Sequence, residues 1–227
     1  MAARILVVDD DPGISEMVAI ILETEGYEAM TCAHGDRVMP LFRAEQPDLV
    51  LLDVMLPGLD GVSVCRQLRE ESDVPIIMMS AKTDSVDVIA GLEAGADDYV
   101  TKPFENSVLI ARVKARLRRQ EPESETLSIG DIVLDLRAHE VRRNNELLHL
   151  TPLEFDLLSV LARKPHQVFS REELLEQVWG YRHSSDTRLV NVHIQRLRSK
   201  IERDPENPEV VLTVRGVGYR AGRINGE

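Results

Sequence analysis

Acidic, hydroxyl and ammonium side chains stand at the ends of short apolar runs in the first half of the chain. Ile5 to Val8 runs into Asp9-Asp10-Asp11, Leu49 to Leu52 into Asp53, and Ile76 to Met79 into Ser80-Ala81. A further run ends in Tyr99-Val100-Thr101-Lys102-Pro103. If those ends converge, three carboxylates would repel one another unless a cation lay among them, and hard oxygen donors with open positions suit Mg²⁺. A lysine and a hydroxyl beside them could hold the oxygens of a phosphoryl group carried on one carboxylate. That is the equipment of aspartyl phosphorylation. Each piece alone is commonplace, since a di-acidic run after a strand is usually a solvated loop or a helix cap. One piece per strand end, in chain order, favours the chemical reading.

The elements that must position these residues follow from periodicity. Continuous apolar runs bounded by polar residues are expected of strands buried on both faces. Between them Ile14, Val18, Ile21 and Leu22, then Val62, Cys65 and Leu68, then Val86, Ile89 and Leu92 have helical spacing. With strands near Tyr27 to Thr31 and Ala96 to Thr101, the alternation predicts an α/β fold, a doubly wound parallel sheet of five strands. Ligands gather at the carboxyl ends of such strands.

With 227 residues and 43% hydrophobic content, the chain can form two compact domains. The polar stretch Gln120-Glu121-Pro122-Glu123-Ser124-Glu125-Thr126 divides it into domains 1–119 and 127–227, with 120–126 as linker. A formal charge of −12 argues against nucleic acid until it is divided: Asp plus Glu against Lys plus Arg is 21 to 12 over residues 1–120 but 15 to 15 over 126–227. Arg182, Arg188, Arg196, Arg198 and Lys200 face only Asp186 across 182–200. Cys32 and Cys65 have no metal-ligand spacing and read as small reduced core or half-buried residues. Neither a signal peptide nor a membrane span is visible, so a cytoplasmic protein without a membrane partner is expected.

In the second half Leu127, Ile129, Ile132, Leu134 and Leu136 alternate with polar residues, and Asn144-Asn145 marks a turn before Leu147-Leu148, as in a small antiparallel sheet. Thr151-Pro152-Leu153-Glu154 and Ser170-Arg171-Glu172-Glu173 are capping-box signatures opening two helices. A third helix, Thr187 to Glu202, carries Val190, Ile194, Leu197 and Ile201 as its core stripe. The opposite face offers Arg188, Asn191, Val192, Gln195, Arg196 and Ser199, with Arg198 at its flank. An apolar Val192 centred on an exposed face makes little sense in water and suits a thymine methyl. Val210 to Arg220 reads as a hairpin joined at Gly216, with Arg215 near a tip small enough for a minor groove.

Val7-Val8-Asp9-Asp10-Asp11, Leu51-Leu52-Asp53-Val54-Met55-Leu56-Pro57-Gly58, Met79-Ser80-Ala81-Lys82 and Ala96-Asp97-Asp98-Tyr99-Val100-Thr101-Lys102-Pro103-Phe104 resemble the receiver domain of two-component response regulators. Leu150-Thr151-Pro152-Leu153-Glu154-Phe155, Val178-Trp179-Gly180, Val190 to Arg198 and Thr213-Val214-Arg215-Gly216-Val217-Gly218-Tyr219 resemble the winged-helix effector of the OmpR/PhoB family. Ala81 to Asp84 and Trp179 to His183 are similar to its actinobacterial members.

The resemblance implies a flavodoxin-like receiver followed by a winged-helix α+β domain. Asp53 would be the phosphoacceptor of a sensor histidine kinase, with Asp9, Asp10, Asp53 and the Met55 carbonyl holding Mg²⁺. Ser80 and Lys102 would hold the phosphoryl group, and Tyr99 would be the aromatic switch. Phosphorylation would favour a homodimer in which Asp97 or Asp98 faces Arg112 and Glu93 faces Lys114. Val88 and Val108 replace a third ion pair usual in the family. Promoter DNA, as tandem half-sites, would be met by Arg188, Arg196 and Arg198 together with Asn191, Val192 and Gln195, and by Thr213 and Arg215 of the wing. His193 would be a phosphate contact or a packing residue. Residues Trp179 to Asp186 would meet RNA polymerase. Such a protein is not primarily an enzyme, self-dephosphorylation apart. A magnesium-dependent phosphatase would need an Asp-x-Asp pair, but Val54 and Met55 follow Asp53. A receiver coupled only to protein partners would have no use for a basic helix and a wing.

Overall fold

The computed structural model describes residues 2–80, 85–117, 126–180 and 187–222, the side chains of 85–88 excepted. The chain divides into two compact units, Met1–Arg118 and Arg119–Glu227. Among the described residues no helix is long and apolar enough to cross a membrane.

In the first unit β1 (Arg4–Val8), β2 (Glu28–Cys32), β3 (Leu49–Asp53), β4 (Ile76–Ser80) and β5 (Asp98–Thr101) form a parallel sheet of order β2-β1-β3-β4-β5. Helices α1 (Pro12–Thr24), α2 (Val38–Glu45), α3 (Gly61–Glu71), α4 (Ser85–Glu93) and α5 (Asn106–Leu117) lie between and after the strands. Ile5, Val7, Leu49, Leu51, Ile77 and Met79 cluster with Val18 and Leu22 of α1 and Leu109, Ile110 and Val113 of α5. Leu6, Val8, Val50 and Leu52 alternate to the other face and are equally buried. Burial on both faces is why these strands read as unbroken apolar runs. The register places Val8 beside Leu52, Asp53 beside Met79, and Ser80 beside Thr101. Each chemically equipped strand end therefore lies on the same edge.

The fifth strand begins later than expected, at Asp98 rather than Ala96. Asp97 is drawn out of the strand pattern, its Oδ2 accepting from Ile76 N and from Arg69 Nη2, both at 2.8 Å. Helix α2, with Pro40 inside a short segment, was not anticipated. Cys32 and Cys65 are both buried.

The second unit opens on an antiparallel sheet of β6 (Thr126–Ile129), β7 (Ile132–Asp135), β8 (Glu140–Arg143) and β9 (Glu146–Leu148). Thr126, read as linker, is the first residue of β6; residues 120–125 lie outside the described residues. Asn144 and Asn145 both have positive φ, 49° and 70°, as a tight hairpin turn requires. Both capping boxes form. Thr151 caps α6 (Pro152–Arg163), and Ser170 caps α7 (Arg171–Leu174), which continues as a wider helical turn through Leu175–Trp179. Helix α8 (Arg188–Ile201) buries Val190, Ile194, Leu197 and Ile201 completely. The wing is β11 (Val211–Val214) and β12 (Gly218–Ala221), and a short β10 (Phe169–Ser170) pairs with β12. A Cβ on Gly218 would sit 1.9 Å from the Phe169 carbonyl oxygen, so this close pairing requires glycine.

Candidate functional site

Asp9 follows β1 and is held by its own surroundings. Its Oδ1 accepts from Asp11 N at 3.1 Å, and its carbonyl accepts from Ser15 Oγ of α1 at 3.0 Å. Asp11 caps α1, accepting from Gly13 N and Ile14 N, which leaves Asp9 and Asp10 to face the strand ends. Asp53 accepts from Met55 N at 3.2 Å. Helix α3 starts so close to it that a Cβ on Gly61 would lie 1.9 Å from the Asp53 carbonyl oxygen. One carboxylate oxygen each from buried Asp9, exposed Asp10 and buried Asp53 lie within 4.8 Å of one another. Lys102, just beyond β5, bridges two of them, with Nζ 2.6 Å from both Asp9 Oδ2 and Asp53 Oδ2.

Burial raises the Asp9 carboxyl above the usual aspartate range, and the Lys102 ammonium offsets part of that rise. For Lys102 burial works against the charge, but the bonds to Asp53 and Asp9 outweigh it and hold its pKa above the ordinary lysine value. Three carboxylates against one ammonium leave an excess of negative charge that suits a divalent cation. The cluster can hold a metal ion, because its donors are hard oxygens and the exposed side at Asp10 leaves open positions. Ser80 is 4% exposed at the end of β4, and its carbonyl accepts from Lys102 N at 2.7 Å. Tyr99 is 9% exposed, and the Arg112 guanidinium lies 5.9 Å from its ring centroid.

In the second unit α8 and the wing line one groove, to which Gln195, Arg198, Leu212, Thr213, Val214, Arg215 and Arg220 contribute. Asn191 and Gln195 are exposed, and Arg188, Val192 and Arg196 are half-buried. Thr213, Arg215 and the tip residue Val217, 51% exposed, project from the wing.

Two family descriptions match the chain: response regulator receiver domain over residues 5–114, and transcriptional regulatory protein, C terminal, over 144–221. The DNA-binding response regulator MtrA of Mycolicibacterium smegmatis is 63% identical, covering 98% of each chain. The chain belongs to the OmpR/PhoB family of two-component response regulators. MtrA of Mycobacterium tuberculosis is 62% identical over 98% of both chains. Among solved structures, the Thermotoga maritima OmpR/PhoB homolog DrrB is 37% identical and covers 98% of this chain and 100% of its own, with a TM-score of 0.54. As a member of this family, the protein couples receiver phosphorylation to regulation of transcription.

Several residues expected at the surfaces of an OmpR/PhoB regulator stand elsewhere. Arg198 is 5% exposed; its Nε and Nη2 donate to the Val211 carbonyl at 3.0 and 2.6 Å, and Nη2 also reaches Thr213 Oγ1 at 2.8 Å. It braces the wing against α8 rather than facing outward. His193 is fully buried, 5.4 Å from the Trp179 ring. Lys200 is tied to the buried Glu154 at 2.7 Å, and Arg196 Nε lies 3.7 Å from the same carboxylate.

The receiver face differs similarly. Asp97 is 2% exposed and bound to Arg69, so it cannot meet a partner's Arg112. Asp98 is fully buried and pairs with Arg112 of its own chain at 2.7 Å. Burial pushes the Asp98 carboxyl up, opposed by Arg112 and Arg116. Lys114 meets Glu25 of its own chain at 2.5 Å. Glu93 is exposed and Val108 is 39% exposed. The Val88 side chain, Ala81 to Asp84 and residues 181–186 of the expected polymerase-contacting loop lie outside the described residues.

Arg69 is a residue that sequence reasoning missed. It donates to the carbonyls of Ser72, Val74 and Gly95 as well as to Asp97, fastening the end of α3 to the entrance of β5. Nothing in local spacing marks it.

Proposed function

We propose that Asp53 accepts a phosphoryl group from the phosphohistidine of a sensor kinase, and that the modified chain binds promoter DNA through α8 and the wing. The observation that carries this reading is the Lys102 ammonium bridging Asp9 and Asp53 beside an exposed Asp10 at the end of one sheet. In the transfer an Asp53 carboxylate oxygen forms the new P–O bond while the P–N bond to the kinase histidine breaks. Lys102 then pairs with a phosphoryl oxygen and the Ser80 hydroxyl donates to another. Mg²⁺ held by Asp9, Asp10, Asp53 and the Met55 carbonyl would supply charge neutralisation for the phosphoryl oxygens. Drawing Ser80 inward opens space for Tyr99 to turn, a population shift in the α4–β5–α5 face. Val108 and Glu93 of that face would then contribute to a homodimer on tandem half-sites, and the loop expected from Trp179 to Asp186 would meet RNA polymerase. Slow self-dephosphorylation would return the chain, in the cytoplasm, to its starting state.

Mass-spectrometric mapping after exposure to a small acyl-phosphate donor tests the assignment: a borohydride-trapped adduct on Asp53 is expected, and one confined to any other residue would refute it. Asp10→Ala should weaken Mg²⁺ binding by about tenfold or more and slow labelling in proportion, since an exposed carboxylate ligand is lost without disturbing the core. Magnesium titration of the two proteins decides; equal affinity would move the metal elsewhere. Val192→Ala should erase discrimination between thymine and uracil at one operator position if its methyls meet the thymine methyl. An unchanged preference would make Val192 a packing residue.

A further inference from the structure

Asn191 stands on the exposed side of α8, and its side-chain oxygen is held from two directions. Arg171 Nε donates to Asn191 Oδ1 at 2.8 Å, and the Tyr219 hydroxyl donates to the same atom at 2.9 Å. A guanidinium has no acceptor, so the atom facing it must be the oxygen; turning the amide over would set N–H against N–H. An amide oxygen offers two lone pairs, and both are engaged. The donors are themselves fixed. Tyr219 is 6% exposed, with the guanidinium carbons of Arg171 and Arg198 5.3 and 5.8 Å from its ring centroid. Arg171 opens α7, Tyr219 belongs to β12 and Asn191 to α8, so three elements converge on one oxygen.

This arrangement changes what Asn191 can recognise. Asparagine ordinarily reads adenine with two bonds, its oxygen accepting from the N6 amino group and its nitrogen donating to N7. Here the oxygen is already saturated and only the Nδ2 protons are offered outward. Guanine presents two acceptors in the major groove, N7 and O6, whereas adenine sets a donor beside its N7. We propose that Arg171 and Tyr219 act as positioning residues that make Asn191 a donor-only reader, selecting guanine over adenine at the base pair it meets. The inference rests on reading α8 as the helix that enters the major groove.

The test is selection of duplexes from a randomised pool by the phosphorylated full-length protein, followed by sequencing. Asn191→Ala should flatten the preference at one position, and there the unsubstituted protein should favour guanine over adenine by about threefold to tenfold, the worth of one hydrogen bond. Releasing the oxygen with Arg171→Met and Tyr219→Phe together should shift that position toward adenine. Tyr219→Phe alone removes a hydroxyl and keeps the ring, so it should narrow the guanine preference even if the double variant does not fold. Adenine favoured by the unsubstituted protein, no position altered by Asn191→Ala, or a guanine preference untouched by Tyr219→Phe would each overturn the proposal. Enrichment of no sequence at all would instead remove the DNA-reading role of α8, and this inference with it.

Discussion

Asp53→Asn is expected to abolish covalent phosphorylation while leaving the receiver folded. The amide has nearly the shape of the carboxylate and can still accept from Met55 N, which lies 3.2 Å from Asp53 Oδ1. Lys102 loses one of its two carboxylate partners but keeps Asp9 at 2.6 Å, so the change in stability should stay within about 1 kcal/mol. What disappears is the nucleophile: an amide oxygen is too weak to attack phosphorus and has no negative charge to offer. Phosphate-affinity electrophoresis with a small acyl-phosphate donor should show no shifted band. Labelling at the level of the unsubstituted chain would place the phosphoacceptor elsewhere.

Arg198→Ala should do a different kind of damage. A surface arginine touching DNA would lose affinity and little else, but Arg198 is buried and its guanidinium joins α8 to β11 through Val211 and Thr213. Truncation removes hydrogen bonds from a charged donor, worth roughly 1.5–3 kcal/mol, and leaves the Val211 carbonyl without its arginine. A loss of about 2–4 kcal/mol in the second unit follows, lowering its thermal midpoint by roughly 10 °C or more. Arg215→Ala is the contrast. That side chain is exposed at the wing, so stability should move by less than about 0.5 kcal/mol. The salt dependence of DNA binding should flatten by about one unit if the arginine neutralises a phosphate. Calorimetry on both variants separates them: equal stability would return Arg198 to the DNA-facing surface.

These two arginines also show what the sequence could and could not reveal. Strand ends were legible because buried strands leave unbroken apolar runs that stop abruptly at Asp9, Asp53 and Ser80, and parallel pairing then brings those stops to one edge. The capping boxes at Thr151 and Ser170 were legible because both partners lie three residues apart. Helix α8 was read with too narrow a stripe. Leu189 and His193 are buried beside Val190, Ile194, Leu197 and Ile201, and a core-facing helix buries such a broader arc. Arg198 sits at the edge of that arc, where its direction depends on a carbonyl of β11 that helical spacing cannot reveal. Asp97 failed for the same reason, since its partner Arg69 lies 28 residues away on α3, whereas Arg112 was named for Asp98 but is met within the chain rather than across a dimer.

Coupling between Asp53 and DNA is the central claim, and fluorescence anisotropy on a selected operator duplex at fixed salt tests it most directly. The full-length chain is titrated before and after treatment with an acyl-phosphate donor and Mg²⁺, with Asp53→Asn carried through the same steps. Phosphorylation should tighten binding by roughly 5-fold to 150-fold, the usual range of coupling between two sites, and the variant should show no change. Equal affinity before and after phosphorylation, or a gain that survives in Asp53→Asn, would contradict it.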